Sequence, residues 1–314
     1  MKKNLLQATL VCLASLSLSA QAAPNPYNDL IYHGQMAPVM RSDSLVSDLI
    51  SVYVIYWLPT NLQDGTPVGK TSNYVKFQNQ FLADIAGTTG FSGVANQYYR
   101  VAANKAKNYA NARLNYAGGL VDNSPYPTTG CPESMLSSTN CLEDSDIQAK
   151  VAATIDQYKW PVNGSTVYLV YTAMGEDVCD GNGNCTTTGS SFCGYHSAIL
   201  EPQNKTYIAY AGLPYTGANG PGNCGTGFYP QNYPDAEAVA NTTVSQIFAM
   251  ITNPLHNAWY TKTGQEIGDL CKGKMASTGN TWDNGMANHQ WKGHFYSIQP
   301  LYDNHLHACV DAGS

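Results

Sequence analysis

The 314-residue chain predicts an α/β fold, a single mixed domain with a central β-sheet, flanking helices and disulfide bracing. Three observations lead there. Runs rich in β-branched and aromatic residues alternate with segments whose apolar residues recur at helical spacing, the pattern of strands and helices that share one core. About 290 residues remain beyond the leader described below, enough to bury a sizeable core. Those residues carry eight cysteines, an even number.

Residues 1–22 read as a secretory signal peptide. Lys2 and Lys3 precede an apolar run from Leu5 to Leu18, and Ala20-Gln21-Ala22 forms an A-x-A cleavage site. The run is shorter than the roughly 20 residues a membrane span requires. Cleavage near Ala22 is therefore expected, with residues 23–314 secreted to the periplasm or beyond the cell as a single domain without a transmembrane segment. Cys12 leaves with the leader, and Thr9-Leu10-Val11 before it does not resemble a lipoprotein-processing site. Cysteines 131, 141, 179, 185, 193, 224, 271 and 309 enter an oxidising compartment, where disulfides are the default. Spacing alone does not choose among the possible pairings; Cys131 with Cys141 and Cys271 with Cys309 are the two expected. In the chain-entropy model those loops contribute about 3 and about 4 kcal/mol. No Cys-x-x-Cys pair occurs, which argues against a cysteine-built zinc site.

The elements follow in order. Ser51 to Trp57 (SVYVIYW), closed by Pro59, reads as a buried strand. After a turn-rich connection over 61–71, Tyr74 to Ile85 carries near-helical apolar spacing and stops before Gly87, as a helix would. Residues 122–140 are rich in Pro, Ser, Thr and Gly and read as a long loop. A helix then starts at Ser145, whose spacing to Gln148 is that of a capping box; Ile147, Val151 and Ile155 repeat on one face, and Asp146 is placed to pair with Lys150. Thr166 to Thr172 (TVYLVYT) and Thr206 to Ala211 read as two more strands, with a cysteine-rich insertion at 177–194 between them. Asp235 is the expected N-cap of a largely apolar, buried helix that ends near Thr252, ahead of Pro254. Turns and short strands complete the chain to Cys309.

Composition narrows the function. Only 12% of residues are charged, against about 25% for an average soluble protein. With the leader removed, 14 Lys and Arg stand against 22 Asp and Glu, a net charge of about −8, which repels nucleic acid and anionic membrane. The basic residues Arg100, Lys105, Lys107 and Arg113 would scatter around a helix and form no phosphate-binding stripe. Asp180 to Asn184 begins like a calcium loop, but Cys185 stands where an EF-hand requires Gly and Ser191 where it requires Glu, so a turn closed by cysteines is expected. His305 and His307 would share one face of a strand, a minimal metal-binding pattern. No G-x-S-x-G elbow or phosphate loop is present.

The segment 243–271 carries the most specific pattern. Thr252-Asn253-Pro254, Ala258-Trp259-Tyr260, Glu266, Asp269 and Cys271 resemble the phosphate-induced, Exordium-like family of secreted proteins, in which a helix usually bears His-Glu-x-x-Glu ahead of these residues. Tyr32-His33-Gly34 with Pro38-Val39-Met40, VYVIYW, QYY at 97–99, SDIQ, VYLVYT and Cys193-Gly194-Tyr195-His196 extend the resemblance in order over most of 31–309. It implies a zincin-like helix on which a His at i and a Glu at i+4 ligate a metal while the Glu at i+1 serves as base. Here Ser245, Gln246 and Ala249 hold those three positions, so ligands and base are both lost.

No metal, no cofactor and no catalytic residue is therefore predicted. The resemblance implies an extracellular setting, and the chain reads as a non-catalytic binding protein for a glycan or another extracellular ligand. His196, Ser245, Gln246, Trp259, Glu266 and Asp269 are the candidate cleft residues, with Trp259, Tyr260, Trp282 and Trp291 available to stack on a sugar if exposed. Each has a structural reading beside the functional one. His196 would be a hydrogen-bonded histidine next to a disulfide, Glu266 and Asp269 would cap, Ser245, Ala249 and Thr252 would permit close packing, and Trp259 and Tyr260 would be core aromatics. The competing function is a divergent metal-dependent hydrolase that assembles a rearranged site from His196, Glu266, Asp269 and the carboxy-terminal histidines.

Overall fold

The computed structural model describes residues 27–34, 49–88, 90–101, 104–110, 112–131, 139–186, 192–201, 206–215, 224–274 and 286–313. The leader with its cleavage site, Pro38-Val39-Met40, Ser191 and Trp282 lie outside the described residues. The core is one five-stranded sheet of β1 (Ile50–Trp57), β2 (Leu114–Asp122), β3 (Thr166–Tyr171), β4 (Tyr195–Glu201) and β5 (Thr206–Leu213), in the order β2-β1-β3-β5-β4. The first four in that order run parallel, and β4 lies antiparallel on the edge beside β5. All six residues of β3 are buried. A strand covered on both faces and paired on both edges selects continuous apolar sequence, which is why the runs in β1, β3 and β5 are recognisable in the chain.

Tyrosines mark the two faces. Tyr56 and Tyr171 stack on each other and meet Tyr74 of α1 (Ser72–Ile85) and Thr243 of α3 (Pro234–Thr252). Three residues earlier on the same strands, Tyr53 and Tyr168 point the other way, onto Trp160 just past α2 (Asp144–Tyr158). Tyr195 of β4 and Tyr210 of β5 also reach that face, where both hydroxyls donate to Asp144 Oδ1 at 2.7 and 2.6 Å. The sheet thus separates α1 and α3 from α2.

Several local expectations change. The capping box of α2 is built by Glu143 and Asp146, not by Ser145 and Gln148. Asp146 Oδ2 accepts the Glu143 backbone N–H at 3.0 Å, so Lys150 pairs instead with Asp122 at 2.9 Å and lies over the Trp57 ring. Tyr233 rather than Asp235 occupies the cap position of α3, and Glu237 reaches back to accept the backbone N–H groups of Tyr233 and Gln231. Of the basic cluster, Arg100, Lys105 and Lys107 lie on a hairpin, Tyr99–Val101 paired with Lys107–Tyr109, and Arg113 lies just before β2, none of them on a helix. His305 and His307 occupy the tight turn between Leu301–Asp303 and Ala308–Val310; Asp303 accepts the His305 N–H, while His307 stacks on Tyr27 and bonds Asp29.

Four disulfides brace the described chain. Cys131–Cys141 and Cys271–Cys309 are the expected pairs, Cys179–Cys185 closes the false calcium loop, and Cys193–Cys224 ties the start of β4 to the segment before α3.

Candidate functional site

Helix α3 organises the site. Fifteen of its nineteen residues are buried, as its nearly all-round apolar sequence requires. Thr242, Thr243 and Thr252 survive inside it because each hydroxyl donates to the carbonyl four residues back. Ser245 and Gln246 are the interior positions left partly open. They face a cavity of about 210 Å³ whose wall also includes Asn241, Thr226, Lys272 and Gln299. Two glycines let neighbouring backbone approach the helix here. A Cβ on Gly268 would lie 2.3 Å from Ser245 Oγ, and one on Gly194 would lie 2.7 Å from the Thr242 methyl.

Gln246 joins this cavity to a buried histidine. Its Nε2 donates to Gly194 O at 3.2 Å, which turns its Oε1 toward His196 Nδ1 at 3.3 Å. His196 sits at the start of β4, opposite Ala211 of β5, with its side chain only 2% exposed. Its Nε2 lies 3.6 Å from Glu266 Oε1 and 3.2 Å from the Asn253 carbonyl. His256, in the loop after α3, tilts against the His196 ring at 4.3 Å between centroids, and its Nδ1 lies 3.9 Å from the same Glu266 oxygen. Asn253, which ends α3, holds the arrangement: its Nδ2 donates to Glu266 Oε1 and its Oδ1 accepts the Ala258 N–H, both at 2.6 Å.

Burial sets the charges. Desolvation pushes the Glu266 carboxyl up to about 7, against the favourable Asn253 bond and the His256 ring. Desolvation lowers His196 despite its two oxygen neighbours, and it lowers His256, helped by the adjacent His196 ring. Both shifts favour the neutral imidazole, the form that ligates metal.

Of the candidate cleft residues, His196, Gln246 and Glu266 come together, while Ser245 and Asp269 line the neighbouring cavity. Asp269 also caps, accepting the Glu266 N–H at 2.9 Å. Trp259 is not part of the cleft: its indole N–H donates to Tyr99 O and its ring packs among Tyr32, Tyr98 and Tyr99. Trp291 borders a separate cavity of about 410 Å³ with Phe91 and His289. His305 and His307 do not belong to the His196, His256 and Glu266 group.

The residue that sequence reasoning missed is His256. It stands two residues beyond Pro254, off the helical register, in left-handed backbone at φ +52°. A histidine so close to a helix end was the available signal; its partners are a β-strand and a segment ten residues on. Compared with known proteins, the chain matches no family model, no curated protein and no solved structure.

Proposed function

We propose that this chain is a secreted, disulfide-braced protein of the Exordium-like type that binds a neutral, hydroxyl-rich extracellular ligand, a glycan in the first instance, without catalysing its hydrolysis. The observation that carries the reading is the cavity over Ser245 and Gln246. Its polar side chains are mainly hydroxyls and amides, with one Lys and one Asp, a lining suited to hydrogen-bonding sugar hydroxyls. The replacement of a helix-borne base by Gln246 and the capping role of Asp269 favour binding over hydrolysis. Trp259 offers no platform for a sugar, because its ring is buried in the core among Tyr98 and Tyr99.

Ligand-observed NMR with a panel of neutral mono- and oligosaccharides tests it. Saturable binding that survives chelator treatment and weakens several-fold in Gln246→Ala is expected. Lack of saturation by every member of the panel up to about 10 mM would remove the glycan reading.

A second reading, a divergent metal-dependent hydrolase, is favoured by the convergence of His196, His256 and Glu266. It requires chelator-sensitive cleavage of an ester, peptide or glycoside by the metal-loaded chain, and Glu266→Gln would have to abolish that cleavage.

A further inference from the structure

We propose that His196, His256 and Glu266 form a binding site for one divalent transition-metal ion of the zinc class. The inference goes beyond the glycan reading and does not depend on it. A ligating imidazole presents one ring nitrogen to the metal and donates its other N–H to a carbonyl or carboxylate, and both rings here are arranged in that way. His256 Nε2 lies 3.0 Å from the His196 backbone carbonyl, which can only accept, so that nitrogen carries the proton. Its Nδ1 then presents a lone pair toward Glu266.

His196 resolves similarly. Gly194 fixes the Gln246 amide so that Oε1, an acceptor, faces His196 Nδ1. The Asn253 carbonyl near Nε2 accepts the His256 backbone N–H at 3.1 Å and keeps a second lone pair, so each His196 ring nitrogen has an acceptor beside it in the metal-free ring. The tautomer that ligates a metal carries its proton on Nδ1, donating to Gln246, and presents the Nε2 lone pair toward Glu266. Two nitrogen lone pairs and a carboxylate oxygen converge, with all three atoms within 4.8 Å of one another. A cation satisfies such a set.

The spacing fits a small one. Bonds of about 2.0–2.1 Å in tetrahedral geometry place ligand atoms roughly 3.3 Å apart. The His196 nitrogen stands 3.6 Å from Glu266 Oε1, and the His256 nitrogen 3.9 Å. Bringing the Glu266 distances to that value takes shifts of roughly half an ångström, at a His256 side chain that is 56% exposed. Two imidazoles and one carboxylate suit zinc, copper or nickel over calcium or magnesium, which prefer oxygen donors throughout. Three protein ligands leave a fourth position for water or a ligand atom. In this arrangement Gln246 is a positioning residue: its Oε1 accepts the His196 Nδ1 proton and so leaves Nε2 to the metal.

The test uses the full exported chain with its disulfides oxidised and no oligohistidine tag, stripped with chelator and titrated separately with Zn²⁺ and Co²⁺. One ion per chain and the intense visible bands of low-coordinate Co²⁺ are expected. His256→Ala changes a half-exposed side chain and should leave the fold intact while weakening Zn²⁺ binding about 100-fold or more; Glu266→Gln should act likewise, and Gln246→Leu should cost about 10- to 100-fold. The double variant His305→Ala/His307→Ala should bind as the parent does. No ion retained at about 100 µM free Zn²⁺, binding that His256→Ala leaves unchanged, or binding lost with His305 and His307 would each overturn the assignment.

Discussion

Glu176 offers the sharpest test of the energetics. Its side chain lies just after β3, 2% exposed, where Gln63 Nε2 donates to Oε1 at 2.6 Å and Oε2 has no hydrogen-bond partner among the described residues. Burial, with the nearby carboxylates of Asp177, Asp146 and Asp64, pushes the acid from its ordinary 4.5 up to about 8. Below about pH 4.5 both folded and unfolded chains hold the proton, and the group contributes nothing to the pH dependence. Between 4.5 and 8 the unfolded chain releases it while the folded chain keeps it, so stability falls as pH rises. At pH 7 the difference spans about two and a half pH units at about 1.4 kcal/mol each, or about 3 kcal/mol. Glu176→Gln removes the ionisation and keeps an acceptor for Gln63. Urea unfolding of the oxidised chain at pH 4, 5.5, 7 and 8 should show the variant near parity with the parent at pH 4 and up to about 3 kcal/mol more stable at pH 7. Parallel stability–pH curves for the two proteins, or a variant less stable at pH 7, would refute the reasoning.

Three further outcomes are expected. Ser245→His should lower stability by about 1–3 kcal/mol, because Gly268 backbone already lies against this position and the imidazole must displace it; thermal unfolding measures it. Replacing Cys193 and Cys224 by alanine should lower stability by about 3–4 kcal/mol, since the bridge spans 31 residues, and a urea midpoint unchanged under non-reducing conditions would contradict this. Trp259→Phe should lose the bond to Tyr99 O and about 1–2 kcal/mol of stability while leaving saccharide and Zn²⁺ affinities unchanged, which titration calorimetry would register.

Legibility in the sequence followed burial. The strands β1, β3 and β5 sit inside the sheet and are covered on both faces, so their runs are continuously apolar. The edge strands β2 and β4 are only half-covered, with residues such as Gly118, Gly119, His196 and Ser197, and neither announces itself as a strand. Helix α3 was recognisable because it is apolar nearly all round. Its cap was not, because Tyr233 holds the cap position and Glu237 reaches back from inside the helix to the N–H groups of Tyr233 and Gln231 ahead of it, a solution that Asp235 in the sequence does not suggest. Lys150 likewise left its expected neighbour Asp146 for a carboxylate 28 residues away, since a capping bond had already taken the local partner.

The same division holds at the site. Sequence alone determined that Ser245, Gln246 and Ala249 cannot supply a helix-borne metal centre, because ligand chemistry belongs to residue type and the i, i+4 spacing is local. It also singled out His196, Glu266 and Asp269. Only the tertiary structure decided that Asp269 caps, that Trp259 is core, and that His256 joins His196 and Glu266. These three are separated by up to 70 residues and stand on a strand, a post-helical loop and an irregular segment ahead of a short 3-10 turn. No backbone period links such elements; their side chains meet because the edge strand β4 packs beside α3 and Asn253 folds the chain back across its end.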